Sequence, residues 1–315
     1  MEVGGGCVLC PRRCGVERGA GYCGAPAELR VASVCVHRGE EPPLNPIVNV
    51  FFAHCNLQCI YCQNWQISES SGFGVRSSEL FGCGSINSKL RTPNSELSNL
   101  VDTITSHLSP LTSHLVGFVT AAHYIDYIPA IVEEVRRRGY SPTVVYNSGG
   151  YESVEALRTL EGYVDIYLPD LKYMDSGLAA RYSRAPDYPQ VAAEALLEMK
   201  RQVGGGLKMG DDGLAYRGML VRHLVLPGAV QNAIDCLDWL ADNMTMTTGI
   251  SLMAQYFPPR AGLPSPLDRR LTQQEYDIVL DHLRGLPFTN VWTQELTAQD
   301  NYRPDFSRGG NPFER

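Results

Sequence analysis

Phe51-Phe52-Ala53-His54-Cys55-Asn56-Leu57-Gln58-Cys59-Ile60-Tyr61-Cys62-Gln63-Asn64 places three cysteines, spaced C-x3-C-x2-C, directly after an apolar, β-rich run at Val48–Ala53. Three thiolates within eight residues can wrap three irons of a [4Fe–4S] cubane, because a tight loop brings the sulfurs onto one concave face. The fourth iron is then left without a protein thiolate. An open iron suits a cluster that binds a small molecule directly, whereas pure electron carriers usually have four cysteines. Zinc sites favour paired C-x2–4-C modules with a fourth ligand. His54 is a poor fourth ligand, since adjacency to Cys55 strains shared tetrahedral coordination. A redox pair would not need the third thiol. Cys55, Cys59 and Cys62 are therefore read as cluster ligands.

The pattern around this loop sets the architecture. Short β-rich runs at Val48–Ala53, Val116–Thr120, Thr143–Asn147, Val164–Leu168, Met219–Leu226 and Ile250–Tyr256 alternate with helical stretches, and Thr289–Thr293 is a further candidate strand. Asp126–Arg138 puts Ile128, Ile131, Val132 and Val135 on one face, with Glu133 and Glu134 four residues before Arg137 and Arg138. Helices are also predicted at Glu152–Leu160, Pro189–Val203, Val230–Asn243 and Leu271–Arg284. The last begins with a capping box, Thr272 and Glu275. Such alternation implies βα units and a mostly parallel sheet, as a barrel or a doubly wound sheet. Six strong strands instead of eight favour a partial barrel.

Two stretches break the rhythm. Residues 1–45 are rich in Cys, Gly and Pro, and residues 68–95, rich in Ser, Gly and Asn, read as an exposed loop or insertion. The expected division is a cysteine-rich segment 1–45, a barrel 46–260 and a C-terminal helix-and-strand extension 261–315.

The chain has 315 residues, 44% hydrophobic and 19% charged, ordinary values for a soluble globular protein able to bury a substantial core. A formal charge of −7 argues against a large phosphate-binding surface, so nucleic acid is not an expected partner. The Arg136–Arg138 run ends a helix, where cations are favourable. No stretch reaches the ~18–20 apolar residues of a membrane span, and the N-terminus does not read as a secretory signal, so a cytoplasmic location is expected. Reduced cytosolic thiols that cluster point to metal. Of ten cysteines, seven fall into two groups. Cys35, Cys83 and Cys236 stand apart, and Cys236 reads as a small core residue.

The second group, Cys7-x2-Cys10-x3-Cys14-x8-Cys23, has enough thiols to close a zinc site or ligate a second, fully coordinated cluster. Free thiols on a linker are the remaining reading, and spacing alone does not choose among the three.

The cysteine motif, with an aromatic before its last cysteine, resembles the radical S-adenosylmethionine superfamily. HCNLQCIYCQN (54–64), CVLCPRRCGVERGAGYCG (7–24), VYNSGGYES (145–153), VDIYLPDLKY (164–173) and RHLVLPG (222–228) together resemble an uncharacterised pyruvate formate-lyase-activating-enzyme-like branch, over about residues 7–295. The resemblance implies an α/β fold, a partial (β/α)6 TIM-like barrel with the cluster loop at its C-terminal mouth. It implies a reduced cluster that cleaves S-adenosylmethionine to methionine and a 5′-deoxyadenosyl radical for hydrogen abstraction. It also implies a low-potential electron donor such as flavodoxin or ferredoxin and, if the chemistry follows the activating enzymes, a glycyl-radical-type protein as substrate. A non-catalytic iron–sulfur electron carrier or metal-binding module is the alternative.

The strand ends supply the candidate cofactor residues. The superfamily's Gly-Gly-Glu segment is absent after the second strand, where Thr120 and His123 are candidates; His123 is equally readable as a packing residue. Asn147 and Ser148, beside glycines, suit hydrogen bonds to a ribose, although either could cap the next helix. Asp170 and Lys172 share a face of an extended segment and could pair; a D-L-K segment lies in the active site of the activating enzymes. Arg222, inside an apolar strand, requires an anionic partner, for which the S-adenosylmethionine carboxylate and Asp170 are candidates. Gln255 is readable as an adenosine contact or as a structural amide.

Overall fold

A computed structural model describes residues 2–3, 6–68, 93–109, 113–301, 303–307 and 311–314. The expected loop at 68–95 falls almost wholly outside the described residues, and so does Cys83.

The main strands are β1 (Val31–His37), β2 (Ile47–Phe52), β3 (Leu115–Val119), β4 (Thr143–Ser148), β5 (Ile166–Pro169), β6 (Ala215–Leu224), β7 (Gly249–Met253) and β8 (Asn290–Thr293). Strands β2 to β8 are parallel, and every strand lies beside its neighbours in the chain. This unreversed order is that of a barrel wall; a doubly wound sheet reverses at a switch point. Among the described residues β8 does not pair with β1, so the barrel is partial. β1 runs antiparallel to β2, so residues 31–37, inside the stretch read from composition as an N-terminal segment, continue the sheet. Its alternation is weak, with Val34, Cys35 and His37 buried.

Helices α1 (Pro93–His107), α2 (Ile128–Arg137), α3 (Val154–Arg158), α4 (Ser176–Ser183), α5 (Tyr188–Val203), α6 (Val230–Asn243) and α7 (Gln273–Arg284) lie between the strands in the chain. α2 buries the four apolar residues its periodicity predicts, and Glu134 pairs with both Arg137 and Arg138. The capping box of Thr272 and Glu275 is present. Strands β2, β3 and β5 are buried along their whole length. Such continuous apolar runs are expected of parallel strands covered on both faces. α3 is shorter than predicted: Ser153, extended, caps it by accepting from Ala156 N at 3.3 Å. Glu152 therefore precedes the helix. α1 and α4 were not foreseen.

The C-terminal segment lies over the β1 edge. Asn311 donates to Val36 O, Phe313 packs 4.0 Å from the His37 ring, and Phe306 meets Phe51. Among the described residues no helix is long and apolar enough to cross a membrane.

Candidate active site

The three-cysteine loop leaves the C-terminal end of β2 and is turned by two left-handed residues, His54 (φ 72°) and Gln58 (φ 51°). Non-glycine residues adopt this conformation rarely, so the surroundings must hold it. Several bonds do. His54 N donates to Ile67 O at 2.6 Å and Ile60 N to Tyr182 O at 2.9 Å. Asn56 Nδ2 donates to Tyr151 O at 2.7 Å, and Gln58 Nε2 to Tyr22 O at 3.0 Å.

Each of the three sulfurs accepts hydrogen bonds, Cys55 and Cys62 each receiving a further backbone N–H, from Gln58 and Asn64. Leu57 N donates to Cys55 Sγ (3.3 Å), Ser183 Oγ to Cys59 Sγ (2.9 Å) and Ser68 Oγ to Cys62 Sγ (3.5 Å). Burial, reinforced by the neighbouring thiols, pushes Cys55 up to about 12 and Cys62 up to about 11. Two such groups cannot both ionise in a low-dielectric wall without a compensating cation. Among the described residues no three Cys, His, Asp or Glu side chains converge as ligands of a single ion. A cubane makes a different demand, because it spreads its thiolates over separate irons.

The three cysteines line a cavity of about 400 Å³. Strands β2 to β8 each bring C-terminal residues to its wall: Phe51, Val119, Ser148, Asp170, Leu224, Met253 and Thr293 among them. The C-terminal face is where barrels of this winding carry their chemistry.

Of the other candidates, Thr120, Asn147, Ser148, Asp170 and Arg222 all line this cavity. Thr120 is left-handed (φ 60°), and its N–H is satisfied by Asn147 O. Ser148 Oγ accepts from Gly150 N at 2.8 Å. Lys172 donates to Asp170 Oδ2. Burial would lower this ammonium, but Asp170 and the Cys59 and Cys62 thiols outweigh it and hold it above its ordinary range.

His123 does not line the cavity. It is 3% exposed, with Nε2 2.7 Å from Ala53 O, and burial lowers it to about 3, so it is a neutral packing residue. Arg222 finds other partners than Asp170. Its Nε donates to Glu41 at 2.8 Å and its Nη2 to both Glu40 and Glu41. Asn49, on β2, donates to Glu40 Oε1 at 2.8 Å. Gly117 on β3 leaves room for that amide: a Cβ there would lie 2.1 Å from Asn49 Oδ1.

Glu40 and Glu41 were missed, because two glutamates before Pro42-Pro43 look like any solvated loop. Glu152 was missed because it was assigned to the helix. It is 3% exposed, lines the cavity and has no partner for Oε2 among the described residues. Burial raises it to about 7 against a Ser148 hydrogen bond that lowers it. The serine after it was the available signal, as a helix cap. Gln63, Gln255 and Gln294 form an amide chain across the mouth: Gln63 Nε2 donates to Gln255 O, and Gln294 Nε2 to Gln255 Oε1.

The N-terminal segment packs against the back of the three-cysteine loop. Arg12 donates to Asn56 O, Ser183 O and Arg184 O and lies 3.9 Å over the Tyr22 ring, while the Tyr22 hydroxyl donates to Leu57 O. Cys7, Cys10, Cys14 and Cys23 all line one small cavity of about 20 Å³. Tyr22 N donates to Cys14 Sγ and Ala25 N to Cys23 Sγ. Their sulfurs, like those of the central loop, do not converge on one ion position.

No family model matches the chain. An uncharacterized protein of Methanocaldococcus jannaschii is 27% identical over 292 residues, 87% of this chain and 73% of that protein. Among solved structures, a domain of pyruvate-formate lyase-activating enzyme from Bacteroides vulgatus is similar over 55% of this chain and 92% of that one, at 13% identity and a TM-score of 0.36. Native anSMEcpe with bound AdoMet matches over 76% and 61% (10% identity, TM-score 0.48). Methylornithine synthase PylB matches over 85% and 74% (13%, 0.45). Likenesses this distant leave the family open.

Proposed function

We propose that the chain is a radical S-adenosylmethionine enzyme. The observation that carries the reading is the placement of Cys55, Cys59 and Cys62 on one wall of a cavity formed by the C-terminal ends of seven consecutive strands. The donor set fits a [4Fe–4S] cluster: three thiols, each with a hydrogen-bond donor, and open space beside them in place of a fourth ligand. When bound, such a cluster supplies the electron that cleaves S-adenosylmethionine into methionine and a 5′-deoxyadenosyl radical.

The chain's own residues bind, orient and enclose. A volume of about 400 Å³ is in the range of cofactor and substrate sites. Asn147 and Ser148 present polar atoms at the end of β4, and the Asp170–Lys172 pair holds a cation beside the thiols. Phe51, Leu57, Tyr61 and Trp292 add apolar wall, which limits access of water to a reactive species. A carrier that only passes electrons has no use for such a chamber, which favours catalysis over the alternative reading.

The substrate, by likeness of the motifs to activating enzymes, would be a backbone glycine of a partner protein, and the electron would come from flavodoxin or ferredoxin in the cytoplasm. The four N-terminal thiols would hold a second metal, zinc or iron–sulfur, with a structural or electron-relay role. Anaerobic reconstitution, reduction with dithionite and assay for 5′-deoxyadenosine test the central reading. The wild-type chain should form a [4Fe–4S] chromophore and release 5′-deoxyadenosine and methionine; Cys59→Ala should do neither. A wild-type cluster in Cys59→Ala, or a loaded wild type that never cleaves the cofactor, would overturn it.

A further inference from the structure

Ser183 is the last residue of α4 and is fully buried. A buried serine at a helix end commonly turns its hydroxyl back to the carbonyl one turn earlier. Ser183 instead donates to Cys59 Sγ at 2.9 Å. The contacts from Leu57 N to Cys55 Sγ and from Ser68 Oγ to Cys62 Sγ are longer, 3.3 and 3.5 Å. Beside it stands Tyr173, also buried, whose hydroxyl donates to Tyr61 Oη at 2.7 Å and lies 2.9 Å from Ser183 Oγ.

The helix end that carries Ser183 is fastened to the loop it serves. Ile60 N donates to Tyr182 O, and Arg12 joins Ser183 O and Arg184 O to Asn56 O of the same loop. Arg184 is left-handed (φ 49°) and stops α4 at this point. Donor and acceptor are thus held by two separate segments of chain.

We propose that Ser183 is a positioning residue for the iron–sulfur site, whose hydroxyl donates to the Cys59 thiolate and makes the cluster easier to reduce. The inference rests on the reading of Cys55, Cys59 and Cys62 as cluster ligands. Reduction adds negative charge to cluster and sulfurs, and a donor aimed at one sulfur stabilises the reduced form more than the oxidised one. In a buried site the effect is larger than in water.

The test is a potentiometric titration of the anaerobically reconstituted full chain, followed by the paramagnetic signal of the reduced cluster. Ser183→Ala should load iron as the wild type does and show a midpoint potential shifted to a more negative value. Ser183→Thr, which keeps the hydroxyl, should restore the wild-type potential. Ser183→Gly, which also removes the hydroxyl, should shift it in the same direction and remains a measure should Ser183→Ala fold poorly. An unchanged potential in an iron-loaded Ser183→Ala or Ser183→Gly would overturn the inference alone. A wild-type chain that takes up no cluster would overturn the reading beneath it.

Discussion

Arg222 on β6 and Glu41, 181 residues earlier in the chain, form a bidentate ion pair inside the cavity wall, with side chains only 14% and 8% exposed. Glu40, at 7%, shares the same guanidinium. Burial would raise the Glu41 carboxyl, but Arg222 outweighs it and holds it below its ordinary value. The pair ties the loop after β1 to the far side of the barrel.

Arg222→Leu should therefore cost about 3–5 kcal/mol, since it leaves two buried carboxylates without their cation. Arg222→Lys should recover part of this, having one compact charge in place of the fork. Denaturant midpoints of the two variants check the order. A loss below about 1 kcal/mol in Arg222→Leu would mean that the carboxylates find other compensation.

Glu152 sets a pH dependence whose sign follows from its raised value. Its carboxyl moves from an ordinary 4.5 to about 7 in the fold, so the native state holds the proton longer than the unfolded chain does. The stabilisation is complete below pH 4.5 and is lost as pH rises through about 7. Two and a half pKa units correspond to at most about 3 kcal/mol. Glu152→Gln, a copy of the protonated form, should be nearly neutral at pH 5 and more stable than the wild type at pH 8. The buried neutral His123 and His223, held at about 3 and 4 by burial, act in the opposite sense as pH falls, but cancel in the difference between variant and wild type. Melting temperatures of both proteins across pH 5–8 give the answer.

Gly150 has φ 79°, and a Cβ there would lie 2.3 Å from Asp170 O and 2.6 Å from Tyr188 Oη. Gly150→Ala combines a left-handed backbone with overlap against main chain, so a loss of at least about 2 kcal/mol is expected. Gly139, with φ 87° and nothing within 4 Å of its would-be Cβ, is the control. Gly139→Ala carries the backbone strain without the overlap and should be the milder change in thermal unfolding.

A structural metal at Cys7, Cys10, Cys14 and Cys23 predicts that replacing Cys10 and Cys14 together lowers metal content and stability while the central chromophore persists. Binding energies of ~10–16 kcal/mol in isolated zinc peptides set an upper bound, of which a docked segment feels only part. Metal analysis of native protein, with alkylation of the thiols, decides the matter. Iron for one cluster only, no zinc and four reactive N-terminal thiols would show that the segment binds nothing.

What was legible in the chain is what local spacing encodes. The strand before Cys55, the C-x3-C-x2-C loop, the apolar stripe of α2 and the capping box at Thr272 each depend on residues a few positions apart, and all are found in the fold. The rise and fall of β-rich and helical runs likewise implied a parallel barrel wall, because a parallel strand must be followed by a crossover before the next can pair. It followed that residues at the strand ends would meet, and Thr120, Asn147, Ser148, Asp170 and Arg222 do.

Which charges and hydroxyls serve those residues could be decided only in three dimensions. Glu41 lies 181 positions from Arg222, and Ser183 lies 124 from Cys59. No periodicity links such pairs. Glu40 and Glu41 are indistinguishable from a solvated loop until β1 folds back antiparallel on β2 and carries them beneath β6. A buried charge or thiolate states in sequence that it needs a partner, because isolation in a low dielectric is costly. The partner's identity is a property of which segments the barrel brings together.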